Sequence, residues 1–396
     1  MRLLPILAAS CFVSSMSMRL LDPVVPDISR DLSIDTASVA MLASFFAFPY
    51  ALAQPVLGAL GDGFGKSRII KIALLIVALC LAASAAAPTF DMLAFARLVG
   101  GAAAGGIIPL AFALVGDAFP MADRQIALSR VLTAIIAGNL AGLIGAGFVA
   151  AEFGWRISTF TASGLALAAL IVTVWGLKPP APAQPVSRAR GEFLDGYRAV
   201  FANPRSVVCF SAVFVEGIVI FGLFPYVAAL LEQRGAGGLK EAGIVLSGFA
   251  IGGFIYTLMV RLMLGRLGLY NLIMSGGIVS GLGLAMLSFG TSWQVEMAMF
   301  VIVGVGFYMI HNSLQTQATE LAPRHRASGV AAHSFFVFLG QAFGPLAYGL
   351  GLANAGTLWT MLVAGAIMGL LGLVTAWGLK SRSASPVPDD ANPAQT

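Results

Sequence analysis

The sequence has few charged residues for its length. Only 10% of its 396 residues are Asp, Glu, Lys or Arg, whereas a soluble globular chain carries about 25%. Hydrophobic residues make up 58%, and the mean hydropathy is +0.90, so polar groups are too scarce to solvate the surface of a soluble protein. These values exclude secreted disulfide scaffolds, disordered chains and cytosolic enzymes. They indicate an integral membrane protein.

The sequence also lacks the motifs of metal sites and nucleotide-dependent enzymes. Its three cysteines and three histidines show no CxxC or HExxH spacing; they are Cys11, Cys80, Cys209, His311, His325 and His333. No Walker loop, Rossmann fingerprint or Gly-x-Ser-x-Gly elbow is present, so no motif for ATP use is recognised. We expect no metal, no cofactor and no enzymatic activity.

Long apolar runs fill most of the chain. Charges, prolines and Asp/Asn clusters divide it into twelve apolar segments of about 19 to 26 residues, the length at which a helix crosses about 30 Å of hydrocarbon. Barrel strands would instead alternate apolar and polar residues. We number these predicted spans 1 to 12 in chain order: 3–26, 38–61, 69–87, 92–116, 127–151, 156–177, 206–231, 241–263, 270–289, 293–318, 328–352 and 356–379.

The longest break separates spans 6 and 7. It opens with Lys178 and a proline-rich run and closes with a basic amphipathic stretch, 193–201, which favours a linker followed by an interfacial helix. Pro, Asp, Asn and Gln dominate the end of the chain and predict a disordered tail. The predicted organisation is a six-helix bundle at 1–177, a cytoplasmic linker at 178–205, a second six-helix bundle at 206–379 and a cytoplasmic tail at 380–396.

The distribution of cations predicts the orientation. With the N-terminus inside, the inner loops and tails hold 17 of the 23 Lys and Arg residues and the outer loops hold four. Because loops retained in the cytoplasm are enriched in these residues, both termini are predicted to be cytoplasmic. A soluble basic face that could bind nucleic acid is absent from the sequence.

The two halves of the sequence resemble each other at a constant offset near 202. The pattern Leu-x-Pro-x-Val occurs at Leu21 and again at Leu223, and Gly-x-x-x-Gly occurs at Gly138 and again at Gly340. A further loop pattern, an acidic residue followed by Pro and Arg, recurs at Asp117 and Glu320. An even number of spans per repeat makes the repeats parallel in the membrane, with a cavity between them at mid-membrane. The arrangement predicts a carrier whose halves rock against each other.

Several motifs carry a resemblance to a known family. They are Gly58-x-Leu60-x-Asp62-x-x-Gly65-Lys66 after span 2, Arg97-x-x-Gly100-Gly101 in span 4, Gly154-Trp155-Arg156-x-x-x-Phe160 entering span 6, and Arg19-x-x-Asp22-Pro23-x-x-Pro26 in span 1. Together they resemble the major facilitator superfamily, and in particular its twelve-helix bacterial drug and metabolite:proton antiporters. The resemblance covers the whole chain. It implies an all-α membrane fold of two pseudo-twofold-related six-helix bundles, with spans 1, 4, 7 and 10 lining the cavity.

One motif departs from that family. The antiporter pattern Gly-x-x-x-Gly-Pro in span 5 appears here as Gly138-x-x-x-Gly142-Leu143, without the proline. Span 11 has it instead, as Gly340-x-x-x-Gly344-Pro345. The departure weakens the case for antiport without removing it. We expect all five of these Gly and Pro positions to serve close helix packing through small-residue contacts.

Few ionisable residues lie inside the spans, and each costs at least about 2.5 to 3.5 kcal/mol at the bilayer centre. Arg19 and Asp22 are three residues apart on one helical face, an ion-pair spacing, and Arg97 lies at a similar depth. The functional interpretation is proton exchange at Asp22, with Arg97 modulating it or meeting a substrate carboxylate. The alternative is a permanent structural ion pair that orients spans 1 and 4.

Span 7 and span 10 hold further candidates. Glu216 has only apolar sequence neighbours, so burial favours its protonated form unless it is paired; it is the second candidate for proton coupling, against a static interhelical hydrogen bond. In span 10, His311 and Gln315 share a face with Asn312 beside them. These three are predicted to bind a polar part of the substrate, against a purely structural contact.

The loop after span 2 is predicted to act as a conformational latch. Asp62 can accept hydrogen bonds from helix N-terminal amides, and Lys66 can pair across the interface between the halves; Gly58 and Gly65 shape the loop. The alternative is a tight turn whose charges only set topology.

The combined prediction is a secondary active transporter of the bacterial inner membrane that exports small amphipathic compounds or metabolites in exchange for protons. Its predicted partners are a small-molecule substrate, protons and the lipid bilayer, and we expect a monomer. Proton symport or facilitated uptake of a sugar or organic anion is the alternative, because one fold hosts both directions. A membrane enzyme or a non-transporting receptor is a further alternative, opposed by the duplication and by the missing catalytic motifs.

Overall fold

The computed structural model describes residues 3–177, 195–290 and 292–383. It also leaves aside the side chains of 58–63, 121–122, 125 and 383. Within the described ranges the chain folds into helices and contains no strand, which confirms the all-α fold class. Most of the predicted linker and the tail from 384 onwards fall outside the described residues.

The first half, residues 3–177, contains continuous and interrupted helices. Spans 2, 3 and 6 are continuous; they are Thr36–Phe64, Lys66–Ala86 and Trp155–Gly176. Spans 1, 4 and 5 are interrupted; they are Leu3–Arg19 with Val25–Leu32, Phe90–Ala104 with Ile107–Ala118, and Met121–Leu140 with Ala146–Phe153. A 3-10 turn, Asp22–Val24, lies within span 1, and a π turn, Ala141–Gly145, lies within span 5.

The second half follows a short helix at 195–202. Span 7 is again interrupted: Arg205–Glu216 continues through a π turn, Gly217–Phe221, and a 3-10 turn, Phe224–Tyr226, into Val227–Gln233. Span 10 is Trp293–Glu320. Two very long helices, Leu239–Met286 and Arg326–Ser383, cover the remaining spans, and the second continues past the predicted start of the tail at Lys380.

Each very long helix is bent at a glycine. Gly268 has φ 71° and Gly356 has φ 72°, values in the left-handed region that favour glycine. The candidate membrane spans among the described residues number ten, and two of them, with 51 and 60 residues, are more than twice the roughly 20 residues that one crossing needs. The multi-pass helical architecture is therefore shown, and the count of twelve stays a prediction.

The structure repeats the sequence duplication in its backbone. The 3-10 turn at Asp22–Val24 recurs at Phe224–Tyr226, an offset of 202. The positive-φ glycines recur as well, since Gly65 matches Gly268 at 203 and Gly154 matches Gly356 at 202. Irregular backbone appears at equivalent places in both halves, as expected for repeats that descend from one unit.

Close helix contacts repeat at the same offset. A Cβ added to Gly138 would overlap the carbonyl oxygen of Phe12, and one added to Gly340 would overlap that of Phe214. One turn further along, Gly142 lies against the Met16 carbonyl, and Gly344 lies against Ile218 and Gly222. Glycine thus lets span 5 approach span 1 and span 11 approach span 7 at backbone distance. Pro345, in the following position, accepts a hydrogen bond at its carbonyl from Tyr226 Oη, 2.8 Å away.

Large apolar side chains cover much of the exterior. Trp175 and its equivalent Trp377 are 87% and 73% exposed, which would be unfavourable in water and is favourable in lipid. Aromatic residues also fill the interior, where Phe46, Tyr50, Phe224 and Phe300 are among the largest fully buried side chains. A bundle that is apolar inside and outside is typical of membrane helices.

We predict that Gly340→Ala destabilises the fold, because the added methyl group must push span 11 away from the Phe214 carbonyl. Overpacking of this kind costs about 1 to 3 kcal/mol, so thermal unfolding of the purified protein in detergent should begin several degrees lower. Gly164→Ala is the matched control, because a Cβ at Gly164 meets no atom within 4 Å. Equal melting temperatures for the two variants would contradict this account of the helix contact.

Candidate functional site

The interruption of span 1 creates a polar site within the bundle. Pro23 and Pro26 have no N–H to donate, and the first helix ends at Arg19 while the next begins at Val25. The break leaves the last carbonyl groups of the first helix without intrahelical partners. Arg19 and Asp22 lie at this break and are 7% and 2% exposed.

Arg97 of span 4 satisfies the carbonyl groups at that helix end. Its Nη1 donates to the Ser17 carbonyl oxygen at 2.8 Å, and its Nη2 reaches that of Met18 at 3.4 Å. Nε donates across to the Leu42 carbonyl at 3.4 Å, and the guanidinium lies 4.1 Å from the centroid of the Phe46 ring. A cation at a helix C-terminus also interacts favourably with the helix dipole. Arg97 therefore holds spans 1, 2 and 4 together.

Arg19 contacts both halves of the molecule. Its Nη1 lies 3.5 Å from Asp22 Oδ2, an ion pair longer than a normal hydrogen bond. A guanidinium has only donors, so the Gln341 amide of span 11 is oriented with its oxygen toward Arg19; in that orientation the oxygen accepts from Nη1 and Nη2 at 2.9 and 3.0 Å. The guanidinium also lies over the rings of Phe221 and Phe224 in span 7, 4.5 and 5.0 Å from their centroids, close enough for cation–π attraction.

The predicted cluster of Arg19, Asp22 and Arg97 is thus arranged asymmetrically. Arg19 and Asp22 form a pair, whereas the described hydrogen bonds of Arg97 go to backbone carbonyls rather than to Asp22. Asp22 Oδ2 has no hydrogen-bond partner among the described residues. A buried carboxyl oxygen in this condition is available to a proton, a water or a substrate.

A second polar cluster lies in the C-terminal half. Glu216 is 0% exposed, and its Oε2 lies 3.2 Å from His311 Nδ1. Its other oxygen, Oε1, has no hydrogen-bond partner within the described part of the chain. The sequence predicted proton coupling for Glu216 and substrate binding for His311, and the structure brings the two side chains into contact.

His333 of span 11 belongs to the same cluster. Its ring meets that of His311 edge to face with 4.7 Å between centroids, and His311 stacks on Phe307 at 4.7 Å. His333 is 1% exposed, and its Nε2 finds no partner among the residues described. Sequence analysis did not single out this residue; a histidine inside an apolar span was the available signal.

Aromatic rings join the two polar clusters. Arg19 lies over Phe221, Phe221 packs against Phe307 at 5.5 Å, and Phe307 stacks on His311. These contacts form a continuous path from the interrupted span 1 to Glu216. The two polar clusters are therefore connected by packed aromatic side chains.

The equivalent position in the C-terminal half is aromatic. Asp22, Phe46 and Arg97 correspond, at offsets of 202 and 203, to Phe224, Phe249 and Phe300. Phe224 packs against both Phe249 and Phe300, with centroids 5.5 and 6.1 Å apart. The first half thus carries the charged residues Asp22 and Arg97 where the second half carries Phe224 and Phe300.

The remaining predicted residues are more peripheral. Asn312 is half-buried, and Gln315 is exposed. In the predicted latch, Gly65 has φ 92° and Lys66 Nζ lies 2.7 Å from Asp117 Oδ2 in the same half. Asp62 lies in the stretch 58–63, whose side chains the structure does not describe, and Gly58 begins that stretch.

Ion pairs join the halves at one end of the bundle, which we call the loop-1 end because it carries the loop 33–35. There Arg30 bridges Asp27 and Glu232, each at 2.7 Å, and Lys240 pairs with Glu152. Arg30 and Glu232 are 202 residues apart and so are pseudo-equivalent. Nearby, Gly243 of span 8 lies against the Leu143 carbonyl of span 5.

At the opposite end, the ion pairs among described residues stay within one half, as Lys66–Asp117 and Glu320–Arg326 do. Because the described ion pairs between the halves, Arg30–Glu232 and Lys240–Glu152, lie at the loop-1 end, the halves are closed against each other there.

Comparisons with known proteins agree with this architecture. The family model described as Major Facilitator Superfamily matches residues 7–345 and 241–395. Multidrug resistance protein 1 of Bacillus subtilis is 25% identical and covers 88% of this chain and 89% of its own, and Multidrug resistance protein 2 of the same organism is 26% identical over 96% of both. The solved structure of a bacterial homolog to the human lysosomal transporter Spinster, inward-facing and unoccupied, superimposes with a TM-score of 0.77 at 16% identity, covering 97% of this chain and 98% of that one.

We predict that Glu232→Gln loosens the loop-1 end, because it removes the partner of Arg30 in the other half. Exposed ion pairs are worth about 0.2 to 1 kcal/mol, so the population of the open form should rise by up to about fivefold. Distances between spin labels on the loops after spans 1 and 7 measure this population. Asp195→Asn removes an exposed ion pair that does not join the halves and serves as the control. An identical distance distribution in both variants would show that the Arg30–Glu232 pair does not hold the loop-1 end closed.

Proposed function

The chain belongs to the Major Facilitator Superfamily, and on that premise we propose that it exports small amphipathic compounds in exchange for protons by alternating access. It is a multi-pass membrane transporter and not an enzyme. The observation that carries the proposal is the buried Asp22 carboxyl, weakly paired with an arginine that also contacts the other half. A proton bound there would act where the two halves meet.

Two features support export of amphipathic compounds. Relatives that match nearly the full chain carry the name multidrug resistance protein. The rings of Phe221, Phe249 and Phe307 lie between the polar clusters and contact one another, and aromatic side chains are typical of sites that bind apolar small molecules. His311, Asn312 and Gln315 would then contact the polar part of a substrate.

The proposed location is the bacterial inner membrane with both termini in the cytoplasm. In that orientation the loop-1 end faces outward, and the ion pairs Arg30–Glu232 and Lys240–Glu152 seal the outer side. The structure would then represent a state open to the cytoplasm, consistent with its likeness to an inward-facing transporter. In the outward-open state, the loop after span 2 with Lys66 would latch the cytoplasmic side.

The proton gradient is the proposed energy source, with no bound cofactor and a monomer as the working unit. One proton moving through about 100 mV supplies about 2.3 kcal/mol, and each pH unit adds about 1.4 kcal/mol. Protonation of Asp22 from outside neutralises a buried charge and favours substrate release. Deprotonation toward the cytoplasm restores the state that binds substrate, with Glu216 beside His311 as the second candidate proton site.

We predict that Asp22→Asn abolishes proton-driven transport of ethidium into everted vesicles and leaves ethidium counterflow intact. The amide cannot carry a proton, but the halves can still exchange conformation. A loss of at least tenfold is expected, since a variant without the coupled proton has no driving force for accumulation. Asp91→Asn, at an exposed carboxyl, is the control. Full accumulation by the Asp22 variant would exclude Asp22 as the proton site.

The direction of proton movement separates export from uptake. When ethidium is added to everted vesicles, antiport makes the lumen more alkaline because protons leave as the substrate enters. Symport would acidify the lumen instead. We expect alkalinisation, monitored with a pH-sensitive dye trapped in the lumen. Acidification would replace the export proposal with proton-coupled uptake. An organic anion bound at Arg97 has little support, because the described hydrogen bonds of Arg97 go to backbone carbonyls.

A further inference from the structure

We propose that Gln341 is a positioning residue that couples closure of the loop-1 end to the protonation of Asp22, by competing with Asp22 for Arg19. The inference rests on the proposed function, in which Asp22 carries the exchanged proton. Gln341 lies in span 11, in the half opposite to Arg19 and Asp22, and is 3% exposed.

The geometry of Arg19 favours Gln341 over Asp22. A guanidinium has only donors, so the amide of Gln341 must turn its oxygen toward it. That oxygen receives two hydrogen bonds, at 2.9 and 3.0 Å, whereas Asp22 Oδ2 is 3.5 Å from Nη1. A free Arg–carboxylate pair normally shortens to about 2.7 to 2.9 Å and is often bidentate. The contact with the other half therefore holds Arg19 away from its best carboxylate geometry.

The backbone around Gln341 fixes this position. Gly340 lies against the Phe214 carbonyl, and Gly217 of span 7 lies against the backbone nitrogen of Gln341. Span 11 therefore carries the Gln341 side chain with it as a rigid part of the C-terminal half.

Arg97, Tyr50 and Tyr308 are the other ionisable groups near the pair among the described residues. Arg97, from span 4, faces Asp22 but donates its described hydrogen bonds to backbone carbonyls. Tyr50 of span 2 and Tyr308 of span 10 face Arg19 and are neutral phenols at ordinary pH. Arg19 is thus the group that is shared between the carboxyl and the opposite half.

This sharing links conformation to proton binding in both directions. Protonating Asp22 removes the charge that attracts Arg19 and leaves the guanidinium to Gln341, which favours closure of the loop-1 end. Separating the halves at this level removes Gln341 and lets Arg19 pair fully with Asp22, which favours the ionised carboxylate. Linkage requires that each effect equal the other in free energy. The order of events suits an antiporter: a proton taken up outside closes the outer side, and its release inside permits the return.

The test measures the population of the state closed at the loop-1 end as a function of pH. Spin labels on the loops 33–35 and 234–238 report it without any substrate. In the wild type, acidification should raise the closed population. Gln341→Met, of similar length but without an acceptor, should lower that population by at least about tenfold, because both hydrogen bonds from the charged guanidinium are lost, and should flatten its response to pH.

Three further variants sharpen the test. Gln341→Glu retains an acceptor and should restore closure. At every pH, Asp22→Asn should show the closed population that the wild type reaches at acid pH. Asn139→Leu changes the pseudo-equivalent amide in the first half and should respond as the wild type does. A wild-type pH response that persists in Gln341→Met, or a wild-type population that ignores pH, would overturn the inference. Proton-driven export could still hold in that case, because the vesicle assay tests it separately.

Discussion

Hydrocarbon offers no hydrogen-bond partners, so the backbone N–H and C=O groups of this bundle must find their partners within the protein. Regular helices satisfy their own backbones, and the buried charges appear where a helix is interrupted. Arg19 and Asp22 lie at the break in span 1, and Arg97 donates to the carbonyl groups at the end of its first helix. Glu216 directly precedes the π turn of span 7. The irregular backbone and the ionisable side chains therefore depend on each other.

The duplication explains why the interface between the halves has unlike surfaces. Both halves keep the same breaks and the same glycine contacts, because these determine how the helices pack. The side chains at the breaks were free to diverge: Asp22 and Arg19 correspond to Phe224 and Phe221. Arg19 now lies over those two rings, which gives a buried cation a favourable aromatic partner. Symmetry in the backbone thus brings complementary chemistry together across the pseudo-twofold axis.

The sequence was sufficient for the helices, the membrane class and the repeat, because each depends on local patterns such as apolar length and a constant offset. It could not supply contacts that depend on how the halves meet. The sequence placed Arg19, Asp22 and Arg97 at a similar depth, but it predicted neither the break in span 1 nor the hydrogen bonds of Arg97 to the carbonyls of Ser17 and Met18. His333 joins His311 only because spans 10 and 11 cross, and no spacing rule links Gln341 to Arg19.

The two buried carboxyls differ in whether their partners belong to one half or to both. Glu216 contacts His311, which in turn contacts His333, and all three belong to one half, so motion between the halves need not alter the partner of Glu216. Asp22 depends on Arg19, whose two shortest hydrogen bonds cross to the other half. A ligand or proton shifts a conformational equilibrium only by its difference in affinity between the two states. Because the surroundings of Asp22 change when the halves separate, it is the better placed of the two to drive that separation.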